Sequence, residues 1–140
     1  MAQQEYDLGD QIGPFEFVIS EEKVAEFISI SALPKSLNRF TSAKLARDQK
    51  FPESIVPGNM HLTILSDFLT THVNNIVIRK IDMIFRHIVK QNIQLIIKGF
   101  VTNISFQDNN LDYECDITIQ DQQGISLVIA NAKFTIEKTK

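Results

Sequence analysis

The sequence predicts an α+β fold in which a curved antiparallel sheet wraps around one long buried helix at about residues 58–73. Residues 59–73 are apolar on most sides of the helix that they would form, which is typical of a helix surrounded by other elements. Strand-like segments then follow one another without intervening helices. This order favours an antiparallel sheet over alternating βαβ units. With 140 residues, of which 44% are hydrophobic, we expect a single domain, residues 1–140, with a full core.

The elements predicted before the long helix are short. Residues 15–19 read as a strand that places Phe15, Phe17 and Ile19 on one face. Ser20 is a favourable N-cap, and apolar residues at helical spacing after it predict a helix that ends near Pro34. A brief helix is predicted over residues 43–49, between two proline-containing loops. The first part of the chain therefore supplies one strand and short helices.

Four strands are predicted after the long helix, over residues 76–89, 93–106, 112–120 and 125–137. The first two are rich in isoleucine and valine. The third alternates cleanly between apolar and other residues, and the fourth places five apolar residues on one face: Val128, Ala130, Ala132, Phe134 and Ile136. Asn109-Asn110 marks the hairpin turn before the third of them. Cys115 lies on the apolar face of that third strand, so we expect its thiol in the core.

Composition narrows the classes of function. The net charge is −3 and charged residues are interspersed, so we expect neither nucleic acid nor a membrane surface as a partner. One cysteine excludes an internal disulfide framework. The polar, acidic N-terminus is unlike a secretory signal, and no apolar run is long enough to span a bilayer. We therefore expect a soluble cytoplasmic protein, without a metal ion or cofactor.

In this order the segments resemble the MaoC-like hot-dog family, which includes the (R)-specific enoyl-CoA hydratases and related acyl-thioester dehydratases. The resemblance runs through Leu8-Gly9-Asp10, residues 20–27, residues 51–60, residues 81–86 and residues 121–136. It implies a hot-dog fold and a homodimer or pseudo-dimer whose sheets join into one. It also implies a tunnel for an acyl thioester, on coenzyme A or on acyl carrier protein, beside the central helix.

The residues that carry catalysis in those hydratases are missing here. In that family a loop before the central helix supplies an Asp and a His, which act as acid and base on the water or the α-proton. This chain has no Asp or Glu between Phe27 and Arg47, and no His before His61. If the protein is an enzyme, we therefore expect a non-standard active site.

The start of the central helix supplies the first candidate residues. Backbone N–H groups at Gly58 and Asn59 could polarise a thioester carbonyl, although the same residues also suit a plain helix start. His61 lies in the first turn and is a candidate base or hydrogen-bond donor. A packed or interface histidine is the alternative. Asp67 is a candidate acid or base in the tunnel, or a polar group at an interface.

The loop before the helix and the end of a strand supply the others. Asn38 could orient water or a carbonyl, and Arg39 could hold a carboxylate or phosphate. Phe40 could fill the space of the lost histidine, at the tunnel wall. Arg86, with Arg79, Lys80 and His87, could meet the phosphates of coenzyme A. A turn asparagine and solvated basic side chains are the alternatives.

The resemblance, together with the missing Asp and His, implies an acyl-thioester-handling protein with dehydratase-, isomerase- or cyclase-like chemistry. Two alternatives stay open. The chain could be a non-catalytic subunit, paired in a heterodimer with a hot-dog protein that bears the dyad. It could also bind a small hydrophobic molecule without turnover. A thioesterase is a fourth and weaker hypothesis, because the sequence offers no evident nucleophile.

Overall fold

The computed structural model describes residues 5–30, Val56 and 58–137, apart from the side chains of residues 28–30, 58 and 59. The described part contains two helices and five strands, in an order that confirms the predicted α+β fold. These elements are β1 (Gln11–Val18), α1 (Glu21–Ile30), α2 (Gly58–His72), β2 (Ile76–Phe85), β3 (Gln94–Gln107), β4 (Asn110–Gln120) and β5 (Ser126–Ile136). The helix predicted over residues 43–49 lies outside the described residues.

The five strands form one antiparallel sheet in the order β1-β3-β4-β5-β2. The hairpin between β3 and β4 turns on Asp108 and Asn109, whose φ angles of 49° and 64° are typical of a two-residue type I′ turn. The strand order places β1 and β2 at the two edges of the sheet. Each edge strand therefore has one side that no other described strand pairs.

Irregular pairing lets the sheet curve. The register between β1 and β3 shifts between Ile12 and Phe15. Gly13 at this shift has a φ of 91°, and a Cβ atom there would lie 3.0 Å from the carbonyl oxygen of Ile97, so only glycine fits without strain. A second shift, between Val101 and Asn103, lies in the pairing of β3 with β4. Such bulges bend a strand and increase its twist.

The core lies between α2 and the inner face of the curved sheet. Leu65, Leu69 and Val73 of the helix are buried there, against strand residues such as Phe134. The burial of α2 is one-sided: Leu62 is 45% exposed, and Thr63, Asp67, Thr70 and Thr71 are also exposed. The expectation of a helix buried on all sides is thus wrong for its outer face, which no described element covers.

Cys115 is completely buried in this core, as the sequence predicts. Burial, with smaller contributions from the carboxylates of Asp116 and Glu114, raises the pKa of its thiol to about 12. Because the reactive species is the thiolate, both the raised pKa and the lack of access protect this residue.

We therefore expect the Cys115 thiol to resist iodoacetamide at pH 8 in the folded protein, at a rate at least about a thousandfold below that of the unfolded chain. Mass spectrometry of alkylated protein with and without denaturant measures this. A native rate like that of a free thiol would show that the core opens at Cys115. The raised pKa also means that this thiol favours the fold below about pH 9, and that its contribution is lost as the pH rises towards 12.

Candidate functional site

The first turn of α2 provides hydrogen-bond donors at the edge of the core. The helix begins at Gly58, as the sequence predicts, and has no acidic side chain in its first turn. The first backbone N–H groups of a helix have no partner within it, and the helix dipole gives this end a partial positive charge. A carbonyl oxygen that gains negative charge during a reaction would be stabilised there.

His61 lies in the same turn, and the structure describes the placement of its side chain. Its side chain is only 1% exposed. Its ring meets the ring of Phe85, at the end of β2, edge to face, with 5.2 Å between the centroids and 77° between the planes. The aromatic contact holds the imidazole between the start of α2 and the end of β2.

A cavity of about 340 Å³ opens beside this imidazole, and we call it the His61 cavity. It is lined by Val56, His61, Phe85, Arg86, His87, Ile88 and Val89. The Val56 N–H donates to the carbonyl of Val89 at 2.8 Å, which ties the chain just before α2 to the cavity wall. The cavity therefore combines an apolar wall, a buried imidazole and basic side chains within reach of the helix start.

The basic side chains of Arg86 and His87 line the cavity, and both residues follow directly after β2. The backbone N–H groups of Arg86 and His87 both donate to the carbonyl of Leu127, at 2.9 and 3.2 Å. This anchoring ends the strand and leaves both side chains exposed at the cavity. A guanidinium in such a place can bind a carboxylate or phosphate with two parallel hydrogen bonds.

Asp67 lies on a different face of α2 and does not meet His61. It is exposed and lines a second cavity, of about 480 Å³, between α2 and β1. The hydroxyl of Thr71 donates to its carboxylate at 3.5 Å. Asp67 lies six positions after His61 in α2, which places the two side chains about 120° apart around the helix axis. The structure therefore does not join them as an acid–base pair.

The other predicted site residues divide into two groups. Asn38, Arg39 and Phe40 lie outside the described residues. Arg79 is far along β2 from the His61 cavity: its Nε donates to the hydroxyl of Thr135 at 3.2 Å, and that hydroxyl donates to Asp112 at 2.6 Å.

Lys80 is likewise engaged elsewhere, because its ammonium pairs with Asp82 at 3.5 Å on the exposed face of the sheet. Of the four basic residues considered for coenzyme A phosphates, only Arg86 and His87 line the His61 cavity. The site residues that the sequence reasoning missed are Val56, Phe85, Ile88 and Val89, which form the apolar wall. For Phe85 and Val89, the sequence indicated only that both belong to a long apolar strand.

The inner flank of α2 is closed. Leu65 and Leu69 on the helix, and Ile119 and Ala132 on the facing strands, are all 0% exposed. A side chain that no water-sized sphere can touch cannot line an open channel. No open channel therefore runs past these four side chains.

Within residues 5–30, 56 and 58–137, no group of three or more His, Cys, Asp or Glu side chains is arranged to hold a metal ion. Neither described helix is long and apolar enough to cross a membrane.

Comparison with solved structures shows the fold. A MaoC-like dehydratase from Rhodospirillum rubrum superposes with a TM-score of 0.80 and 13% identity, over 96% of this chain and 95% of that one. The (R)-hydratase from A. caviae involved in PHA biosynthesis superposes with a TM-score of 0.79 and 17% identity, over 96% of this chain and 99% of that one. The C-terminally truncated HadBC (3R-hydroxyacyl-ACP dehydratase) complex from Mycobacterium tuberculosis superposes with a TM-score of 0.73 and 19% identity, over 91% of this chain and 96% of the matched one.

No protein-family model and no curated protein sequence matches the chain. The structural matches confirm the hot-dog fold and the predicted resemblance to MaoC-like dehydratases and (R)-hydratases at the level of the fold.

Proposed function

We propose that this protein binds an acyl thioester, carried by coenzyme A or acyl carrier protein, with the thioester carbonyl at the start of α2. The observation that carries this proposal is the His61 cavity, which borders the first turn of α2 and contains a buried imidazole. Arg86 at the same cavity suits a phosphate of the carrier. The dehydratases and hydratases that share the fold support the substrate class.

The proposed chemistry is proton transfer beside a polarised carbonyl. N–H groups of the first helical turn would draw electron density onto the thioester oxygen, which acidifies the α-proton. The His61 imidazole would accept that proton as the general base. In the dehydration direction, the imidazole would return the proton to the departing 3-hydroxyl group, giving the enoyl thioester and water. No cofactor takes part in this scheme.

A second candidate function is that of a non-catalytic subunit that shapes the site of a related chain. The absence of an Asp/His pair from the sequence before His61 favours it. So does the structural similarity to two heteromeric assemblies, the HadBC complex and the ChsH1-ChsH2 complex from Mycobacterium tuberculosis. In this case the chain would bind the thioester, and turnover would require the partner.

We propose that a second hot-dog subunit, of the same or a related chain, pairs along the outer edge of β2. Exposed apolar side chains gather at the C-terminal end of this strand and at the nearby helix start: Leu62, Ile84, Phe85 and Ile88. Exposed apolar clusters of this kind mark protein–protein contacts. The single, buried cysteine suits a reducing compartment, and a cytoplasmic location is part of the proposal.

The test is incubation of the purified protein with enoyl-, 3-hydroxyacyl- and saturated acyl-CoA thioesters. Native mass spectrometry detects bound thioester, and denaturing mass spectrometry detects loss or gain of water. We expect a bound thioester and interconversion of the enoyl and 3-hydroxyacyl forms. Binding without interconversion, followed by turnover when a dyad-bearing hot-dog partner is added, would select the subunit function. If the protein shows no binding and no turnover, both the thioester function and the subunit function are excluded.

A further inference from the structure

The cavity between α2 and β1 has the form of a groove along the outside of the core, and we call it the α2–β1 groove. Its volume is about 480 Å³. The helix contributes the stripe Met60, Ile64 and Phe68, and the strand contributes Phe15, Phe17 and Val18. The groove therefore offers an elongated apolar surface, on a different face of α2 from the core residues Leu65 and Leu69.

The two ends of this groove differ in chemistry. At the C-terminal end of α2, the ring of Phe15 stacks on His72 with 3.8 Å between the centroids and 7° between the planes. Phe68 adds an edge contact to Phe15 at 6.0 Å, so aromatic rings close this end. The other end lies at Met60, in the first turn of α2, about 18 Å away along the helix axis.

The charged side chains along the groove indicate in which orientation a ligand with an anionic head would bind. Lys23 also lines it, and the Lys23 ammonium lies 3.5 Å from the carbonyl of Val18, at the end of β1 remote from the Phe15–His72 stack. The exposed carboxylates of Glu16 and Asp67 lie along the groove and disfavour an anion there. An occupant with an anionic head and an apolar tail would therefore place its head near Lys23 and its tail towards Phe15.

The groove also begins where the proposed thioester site lies. Met60 is two residues after Gly58, so one helical turn borders both places. No open channel runs past Leu65, Leu69, Ile119 and Ala132 in the core, because all four side chains are fully buried. A long acyl chain attached at the start of α2 thus has an apolar path along the outside of the helix.

We propose that the α2–β1 groove binds the aliphatic tail of a long-chain acyl thioester, so that the tail lies outside the sheet rather than in a tunnel through the core. This inference rests on the proposed function, because it takes the thioester at the start of α2 as its origin. Short acyl groups would fit at the helix start and make no use of the groove.

The test compares two exposed threonines of α2. Thr63 lines the groove, whereas Thr70 lines neither the groove nor the His61 cavity. The variants are Thr63→Trp, in which the indole fills the groove, and Thr70→Trp as the matched control. Binding of palmitoyl-CoA, butyryl-CoA and palmitate is measured by calorimetric titration, and the oligomeric state by light scattering.

We expect Thr63→Trp to weaken palmitoyl-CoA binding at least about tenfold, because methylenes lose their apolar contacts. Butyryl-CoA binding should stay within about twofold, and Thr70→Trp should bind all probes like the wild type. Unchanged palmitoyl-CoA binding, or equal weakening of both thioesters, would overturn the groove as the tail site. A change of oligomeric state in Thr63→Trp alone would overturn it too, by showing that a second copy covers the groove.

The failure of the proposed function gives a different pattern. If the wild type binds neither thioester but binds palmitate in a manner sensitive to Thr63→Trp, the groove is an aliphatic-chain site and the thioester function is wrong. If the wild type binds none of the three probes, the groove as a tail site and the thioester function are both wrong.

Discussion

Replacement of His61 by Asn is expected to lower kcat for hydration of a short enoyl-CoA by about 10²- to 10⁴-fold, the range typical of a lost general acid–base group. The imidazole is buried in the cavity wall and lies in the helical turn that would polarise the carbonyl. Because Asn can donate a hydrogen bond but cannot exchange a proton at neutral pH, KM should change much less than kcat. Steady-state kinetics measures both.

A control separates proton transfer from packing. Thr70→Asn alters an exposed site on the same helix and should keep wild-type kcat. Circular dichroism on all variants checks that His61→Asn still folds, since a buried polar site has been changed. If folded His61→Asn keeps kcat within about twofold, the imidazole is a packing residue that supports Phe85, and the proposed chemistry is wrong.

Replacement of Ile84 by Asp is expected to dissociate the proposed dimer, raising its dissociation constant by at least about a hundredfold. Ile84 is 57% exposed near the end of edge strand β2 and does not line the His61 cavity. In a β2-to-β2 pairing the new carboxylate would lose water without gaining a partner, which is costly at an apolar interface. Sedimentation or light scattering over a range of concentrations measures the change.

Phe106→Asp is the matched control for this experiment. Phe106 is an apolar side chain with similar exposure, 60%, but it lies at the end of β3, which does not neighbour β2 in the sheet. We expect this variant to keep the wild-type assembly. A dimer that withstands Ile84→Asp, or one that Phe106→Asp alone dissociates, would place the interface elsewhere.

Side-chain periodicity was enough to predict the helices and strands that the structure describes, but not all of their ends. The strand predicted over residues 15–19 begins earlier, at Gln11, because a register shift absorbs the Gly13-Pro14 pair that resembles a turn. The strand predicted over residues 76–89 ends at Phe85, because Arg86 and His87 turn their N–H groups to Leu127. Both ends depend on partners from distant strands, which local sequence patterns do not contain.

The candidate site was predictable only where it depends on one element. The position of His61 in the first turn of α2 follows from the Pro57-Gly58 break alone. The separation of Asp67 from His61, and the part played by Phe85, depend on which strands flank each face of α2. That arrangement follows from the strand order β1-β3-β4-β5-β2, which is a property of the assembled sheet.

The same strand order has a consequence for how the chain reaches its fold. β3, β4 and β5 are neighbours in sequence and in the sheet, so they can form early from local hairpins. β1 and β2 must close long loops: Gln11 pairs with Phe100, and Ile76 with Ile136. Because long loops close slowly and each edge strand is paired on one side only, we expect these edges to assemble last and to open first. The groove borders β1 and the His61 cavity borders β2, so a bound ligand would stabilise the parts of the native state that are easiest to lose.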